Sequence, residues 1–285
     1  MKKLIGALTA LIIAASLASF DWPQSDILAD SFYAYFGQLR GGTINTSLVF
    51  SKSGDVKAAD SGRILAIISE HGDDELFEST LGNAVILQHG NDMLTVYGNL
   101  DESAQNSLAE ETEVQKGRFL GTTGFSGWQS GDACLEFQVI DTRNQNYINP
   151  RILMPRIGNE LALTIKNLEF MNKNGVSYNL LATKTFYAGT YRIYRERQET
   201  SMPYKTSVYV NGALADSITY ETLLAKDGKI CTNGRVNHPV AEVYPEKGKQ
   251  LVAEFSLPKG HNTVTVIVAD ILGNEKTLTY NIDAR

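Results

Sequence analysis

The sequence predicts an all-β protein made of two consecutive β-domains, and three observations carry that prediction. Short runs rich in β-branched and aromatic residues recur along the chain, separated by Gly, Asn and Asp. The character of the sequence changes near Glu160, after Asn149-Pro150 and the segment Arg151 to Ile157. Beyond that point, in-out alternation dominates: Leu251, Ala253, Phe255 and Leu257 interleave with Val252, Glu254 and Ser256. A length of 285 residues suits one large domain or two of ordinary size, and 43% hydrophobic with 20% charged residues suits packed cores rather than disorder.

The chain opens on an address. Lys2 and Lys3 precede the apolar run Leu4 to Leu17, and Ala18-Ser19 supplies small residues for cleavage, so residues 1–19 read as a secretory signal peptide. The run is shorter than the ~20 residues a spanning helix needs, which weighs against an uncleaved anchor. With the signal removed, no second apolar run indicates a transmembrane segment, and the expected location is periplasmic or secreted, in the cell envelope.

The first domain is expected over residues 27–155. Leu48 to Phe50, Gly62 to Ile68, Asn83 to Gln88, Met93 to Tyr97, Arg118 to Thr122 and Cys134 to Ile140 read as its strands. Ser103 to Glu113, acidic and Ala-containing, reads as a short surface helix or a loop. The second domain is expected over residues 160–285. There Val264, Val266 and Val268 alternate with Thr263, Thr265 and Ile267, Asp270 to Asn274 makes a turn, and Lys276 to Ile282 returns as a strand. Strands at this spacing over such a length suggest an immunoglobulin-like β-sandwich, with residues that look structural.

Composition removes several function classes. With 26 basic against 32 acidic residues the net charge is −6, which leaves no nucleic-acid footprint. Two cysteines exclude a zinc ribbon or a disulfide-dense scaffold. The four histidines, His71, His89, His238 and His261, form no local ligand pair. Cys134 and Cys231 are either a disulfide or two separate thiols; sequence leaves both open.

Residues 54–139 carry an ordered series of motifs. Gly54-Asp-Val-Lys-Ala58-Ala-Asp-Ser-Gly62 is followed by Gly82-Asn-Ala-Val-Ile-Leu-Gln-His89-Gly, then Leu94-Thr-Val-Tyr97-Gly-Asn-Leu100. Val114-Gln-Lys-Gly117, Leu120-Gly121, Gly124-Phe-Ser-Gly127 and Gly131-Asp-Ala-Cys-Leu-Glu-Phe-Gln-Val139 complete it. In order and spacing, the series resembles the LytM or lysostaphin-type zinc endopeptidases, which cut peptides in bacterial peptidoglycan. The resemblance covers roughly residues 35–155. It implies a LytM-like β-domain of the duplicated hybrid motif, with a groove across an antiparallel sheet.

It also implies a zinc held by a His-x-x-x-Asp pair and by the second His of a His-x-His strand, with two further histidines assisting. Catalytic zinc needs about three protein ligands and an open position for water. In this chain the first pair reads Thr43 and Ser47, and residues 35–53 contain no His, Asp, Glu or Cys. The Tyr-x-His-Leu segment reads Tyr97-Gly98-Asn99-Leu100, and the His-x-His strand reads Cys134-Leu135-Glu136. Every position of the family's chemistry is replaced, so the sequence points to a pseudoenzyme with no catalytic residues, no metal ligands and no cofactor.

A degenerate binding groove is the expectation that remains, with Thr43, Ser47, Asn99, Trp128, Cys134 and Glu136 as its candidate residues. Gln138 could add a hydrogen bond, Phe125 is either a groove contact or core, and Tyr97 is read as core. His89, after the Gly82 strand, is read as structural. Partners are expected to be peptidoglycan or a cell-wall hydrolase. Two other readings compete: a zinc-dependent endopeptidase with an unusual metal site, for which Cys134, Glu136 and a histidine are the available donors, and an envelope scaffold or adhesin.

Overall fold

The computed structural model describes residues 20–69, 79–102, 108–127 and 133–285. The signal-peptide segment, Trp128 and part of the Ser103–Glu113 stretch lie outside the described residues. Among the described residues no helix is long and apolar enough to cross a membrane. The chain divides into two compact units, one holding the residues up to Tyr33 together with Ser47–Gly158, the other holding Ala34–Thr46 and Asn159–Arg285.

The first unit is organised by an antiparallel run of strands in the order Asn146–Ile148, Glu136–Asp141, Met93–Leu100, Asn83–Gln88, Gly62–Ile68 and Glu113–Val114. Leu48–Phe50 pairs with the start of Glu136–Asp141, where Glu136 faces Val49 and also Gly98 on the other side. The period-two geometry of a strand sets the two faces. Phe137 and Val139 point into the core and are fully buried, whereas Glu136 and Gln138 share the opposite, half-buried face. The core gathers Leu48, Val56, Val85, Leu87, Tyr97 and Leu120, with the Tyr97 and Phe137 rings 5.1 Å apart. A separate two-stranded sheet pairs Phe119–Thr122 with Asp55–Lys57, with a bulge between Phe119 and Gly121.

In the second unit two sheets enclose one core. One runs Ser177–Asn179, Glu169–Asn172, Gly189–Glu196, Lys249–Leu257. The other includes Thr185–Phe186, Glu275–Ala284, Gly260–Ala269, Lys205–Val210 and Ala213–Lys226. Phe170, Ile193 and Phe255 from the first sheet meet Val208, Val264 and Val266 from the second. The expected terminal hairpin is present and longer than the alternation alone marked, in register from Gly260 opposite Ala284 to Ala269 opposite Glu275.

Residues 34–46 group with this second unit. Leu39–Arg40 and Thr43–Ile44 form a small hairpin whose turn, Gly41-Gly42, adopts φ of 57° and 79°. Two consecutive left-handed residues are what glycine supplies without a steric penalty. Tyr244 donates its hydroxyl proton to the Gly37 carbonyl at 2.6 Å, and the Gln38 amide donates to the Glu199 carbonyl at 3.0 Å.

Candidate functional site

Two of the candidate groove residues are in direct contact. Ser47 is buried at the entry to the Leu48–Phe50 strand, and its hydroxyl donates to Glu136 Oε1 at 2.8 Å. Pairing of Glu136 with Val49 brings the two side chains into reach. The resemblance implies an aspartate and a histidine at these positions, turned toward a shared metal. Here a hydroxyl and a carboxylate hold each other.

Asn99 is buried and sits at φ 62°, a left-handed conformation that asparagine tolerates better than most residues. Its amide donates to the Cys134 carbonyl at 2.7 Å, and its Oδ1 accepts from the Gly127 N–H at 2.9 Å. Its own N–H donates to the Leu81 carbonyl, and its carbonyl accepts from the Gly124 N–H, each at 2.7 Å. Both ends of the amide and both backbone groups are therefore engaged in tying three segments together. Cys134 follows the same logic: it is buried, not in a disulfide, and its sulfur lies 3.8 Å from the Asn99 amide nitrogen.

His89 is buried against the same sheet, with Nδ1 2.9 Å from the Ser61 carbonyl and Nε2 2.7 Å from the Thr95 hydroxyl. A carbonyl only accepts, so Nδ1 carries the proton in that contact. Thr95 lies 3.2 Å from the Tyr97 hydroxyl, which accepts from the Ala59 N–H at 2.8 Å. Burial pushes the Tyr97 phenol up to about 12, so it stays neutral. Both ring nitrogens of His89 are thus occupied by a structural chain.

Thr43 is exposed on the Leu39–Ile44 hairpin, in the segment that groups with the second unit, whereas Ser47, Asn99, Cys134 and Glu136 belong to the first. Trp128 lies outside the described residues. Tyr97 is fully buried and Phe125 is 76% exposed. Sequence reasoning missed the bracing role of Asn99 toward the Gly124–Gly127 loop. The signal was available in the spacing of Gly124, Ser126 and Gly127, which marks a tight loop but does not say what grips it.

Among the described residues the donor set does not fit a zinc ion. Among the described residues no group of three or more His, Cys, Asp or Glu converges. The one carboxylate at the ligand positions the resemblance implies, Glu136, accepts a hydrogen bond from the Ser47 hydroxyl. Zinc bound by so few donors would have no fixed geometry for an attacking water.

With this geometry in hand, comparison with known proteins defines the class. Residues 45–150 match the family model described as Peptidase family M23, so the first unit carries an M23 peptidase-like domain. That result bears out the LytM-type resemblance at the level of the family. A second family model, without a functional description, matches residues 162–285. Among curated proteins none matches the chain.

Three solved structures give the range of likeness. The catalytic domain of the prophage-encoded M23 protein EnpA from Enterococcus faecalis is 20% identical, over 47% of this chain and 95% of that one, with a TM-score of 0.34. A SpoIIQ–SpoIIIAH pore-forming complex contributes a chain 16% identical, over 50% and 95%, with a TM-score of 0.34. The M23 metalloprotease pseudoalterin, from the deep sea, is 13% identical over 78% and 98%, with a TM-score of 0.32.

Proposed function

We propose that this protein is a non-catalytic M23-like protein of the cell envelope that binds peptidoglycan stem peptides in the groove of its first domain. One observation carries the reading: Ser47 and Glu136, which stand where the resemblance implies metal ligands, hold each other by a hydrogen bond, and Asn99, where it implies an assisting histidine, is engaged at both ends of its amide. The half-buried face that Glu136 and Gln138 share carries polar side chains of the kind that pair with a peptide backbone. Lys2, Lys3 and the apolar run that follows support export to the compartment where peptidoglycan lies.

The test has two arms. Purified protein is incubated with isolated sacculi, with and without added zinc, and release of peptides is followed alongside co-sedimentation. The expected outcome is co-sedimentation without release. Zinc-dependent release that disappears in Glu136→Ala would establish a rebuilt metal site and overturn the reading. Absence of co-sedimentation would remove peptidoglycan as the ligand.

A further inference from the structure

We propose that the strand edge Glu275–Asn281 of the second unit is a self-association surface, to which a second copy of this chain adds its own Glu275–Asn281, antiparallel and about a two-fold axis. Every residue involved belongs to the second unit, so the surface is independent of the peptide-binding reading of the first.

The backbone leaves this edge open. Glu275–Ala284 pairs along its whole length with Gly260–Ala269 on one side. On the other side Thr185–Phe186 covers only Asp283 and Ala284. The Asp283 N–H donates to the Lys184 carbonyl, so the odd-numbered residues of the strand aim their backbone groups away from Gly260–Ala269. Among the described residues no strand pairs with that side of Glu275, Thr277, Thr279 or Asn281, and all four are exposed. A row of unpaired N–H and C=O groups is a template for another strand, and proteins usually blunt it.

The same unit shows what a blunted edge looks like. Lys249–Leu257 pairs with Gly189–Glu196 on one side. On its other side the Thr206 hydroxyl donates to the Val252 carbonyl at 2.6 Å, and the Glu254 N–H donates to Asp216 Oδ2 at 2.9 Å. The Arg235 guanidinium donates to the Glu254 carbonyl at 3.1 Å. At the opposite edge of that sheet, Ser177–Asn179 is only three residues long. Glu275–Asn281 is longer, runs in register without a bulge, holds no proline and, among the described residues, has no side chain capping its outer backbone groups.

The strand's own sequence selects the occupant. Pairing the open stretch with its copy in the register that uses all of it centres the axis on Leu278. Glu275 then faces Asn281 of the second copy, Lys276 faces Tyr280 and Thr277 faces Thr279, so no like charges stand opposite each other. The next register toward Asp283 sets Glu275 against Asp283, a like-charge pair at a position Thr185 already occupies. The next register the other way shortens the ladder. In a chain of net charge −6 this stretch carries one carboxylate and one ammonium, so two copies meet there without net repulsion. Leu278 lies opposite Val266 yet is 37% exposed, and the centred register packs it against its own copy. The pairing adds about eight ladder hydrogen bonds.

The experiment uses the chain from Phe20 onward, as the proposed signal cleavage would leave it. Sedimentation velocity from about 1 to 500 μM is expected to show monomer converting to dimer, in the weak class of small interfaces. Thr277→Pro removes an N–H that the fold leaves unbonded, which an edge strand tolerates. It is expected to weaken the dimer about tenfold or more with the circular dichroism spectrum retained. Leu278→Glu and Leu278→Lys keep the backbone edge and set like charges across the axis, so each alone is expected to be monomeric. Mixed in equal amounts, the two are expected to restore the dimer. A wild type that stays monomeric at every concentration overturns the inference. So does a dimer that survives all three substitutions, or a pair of Leu278 variants that remains monomeric when mixed.

Discussion

At the scale of single residues, the groove is an arrangement of neutral or mutually satisfied groups. Removing the Ser47 hydroxyl takes a donor from Glu136, which is half-buried and can recruit water in its place. Ser47→Ala is therefore expected to cost only about 1 kcal/mol in urea unfolding, with no gain of activity. Tyr97 differs because its hydroxyl serves the buried Ala59 N–H, where water has no access. Tyr97→Phe is expected to cost about 1–3 kcal/mol, the penalty of an unsatisfied buried donor. A smaller effect of Tyr97→Phe than of Ser47→Ala would contradict this ranking.

At the scale of elements, the close approach of Gly82 to the Ser126–Gly127 backbone sets the next expectation. Gly82→Ala places a Cβ within 2.5 Å of three backbone atoms at a residue with φ 64°. Backbone held by hydrogen bonds on both sides cannot yield as a flexible side chain would, so the expected loss is about 2 kcal/mol or more. Gly117→Ala is the control: its φ is 80° but nothing lies within 4 Å, so it carries only the left-handed penalty of about 1–2 kcal/mol. Equal losses at the two sites would show that sterics at Gly82 are relieved.

Elements are also where the sequence was most and least informative. Gly62–Ile68 and Asn83–Gln88 fall where apolar runs between turn residues placed them, because burial against one core leaves a direct imprint on side-chain pattern. The Gly260–Ala284 hairpin was legible for the same reason. The grouping of residues 34–46 with the second unit was not, since a short apolar segment carries no mark of which core receives it. Nor was the role of Asn99 legible beyond the loss of a histidine. A left-handed φ and a doubly engaged amide are consequences of the segments that surround it.

At the scale of the whole molecule, the two units meet in sequence at Gly158 and Asn159, within a stretch where Pro155 and Arg156 are also exposed. Limited proteolysis is expected to cut first between Pro155 and Lys166, read by mass spectrometry of the earliest fragments. One contribution to acid stability comes from a charge cluster in the second unit. Burial pushes the Glu242 carboxyl up, but the His238 hydrogen bond and the Arg192 guanidinium outweigh it and hold the group below its ordinary value of 4.5. A carboxylate with a depressed folded-state pKa contributes stability above its unfolded pKa and loses it as pH falls through the folded value. The wild type is therefore expected to lose stability progressively below about pH 4.5, and Glu242→Gln to show a shallower decline. Parallel declines would assign the acid sensitivity elsewhere.

The two cysteines have a practical consequence. Neither is in a disulfide, both are buried, and each lies in a different unit, Cys134 in the first and Cys231 in the second. Burial also pushes the Cys231 thiol up, which slows its reaction further. A thiol reagent added to the native protein is limited by transient opening rather than by chemistry. The chain thus holds one internal timer in each unit, and peptide-resolved labelling reads how often each opens without any engineered probe.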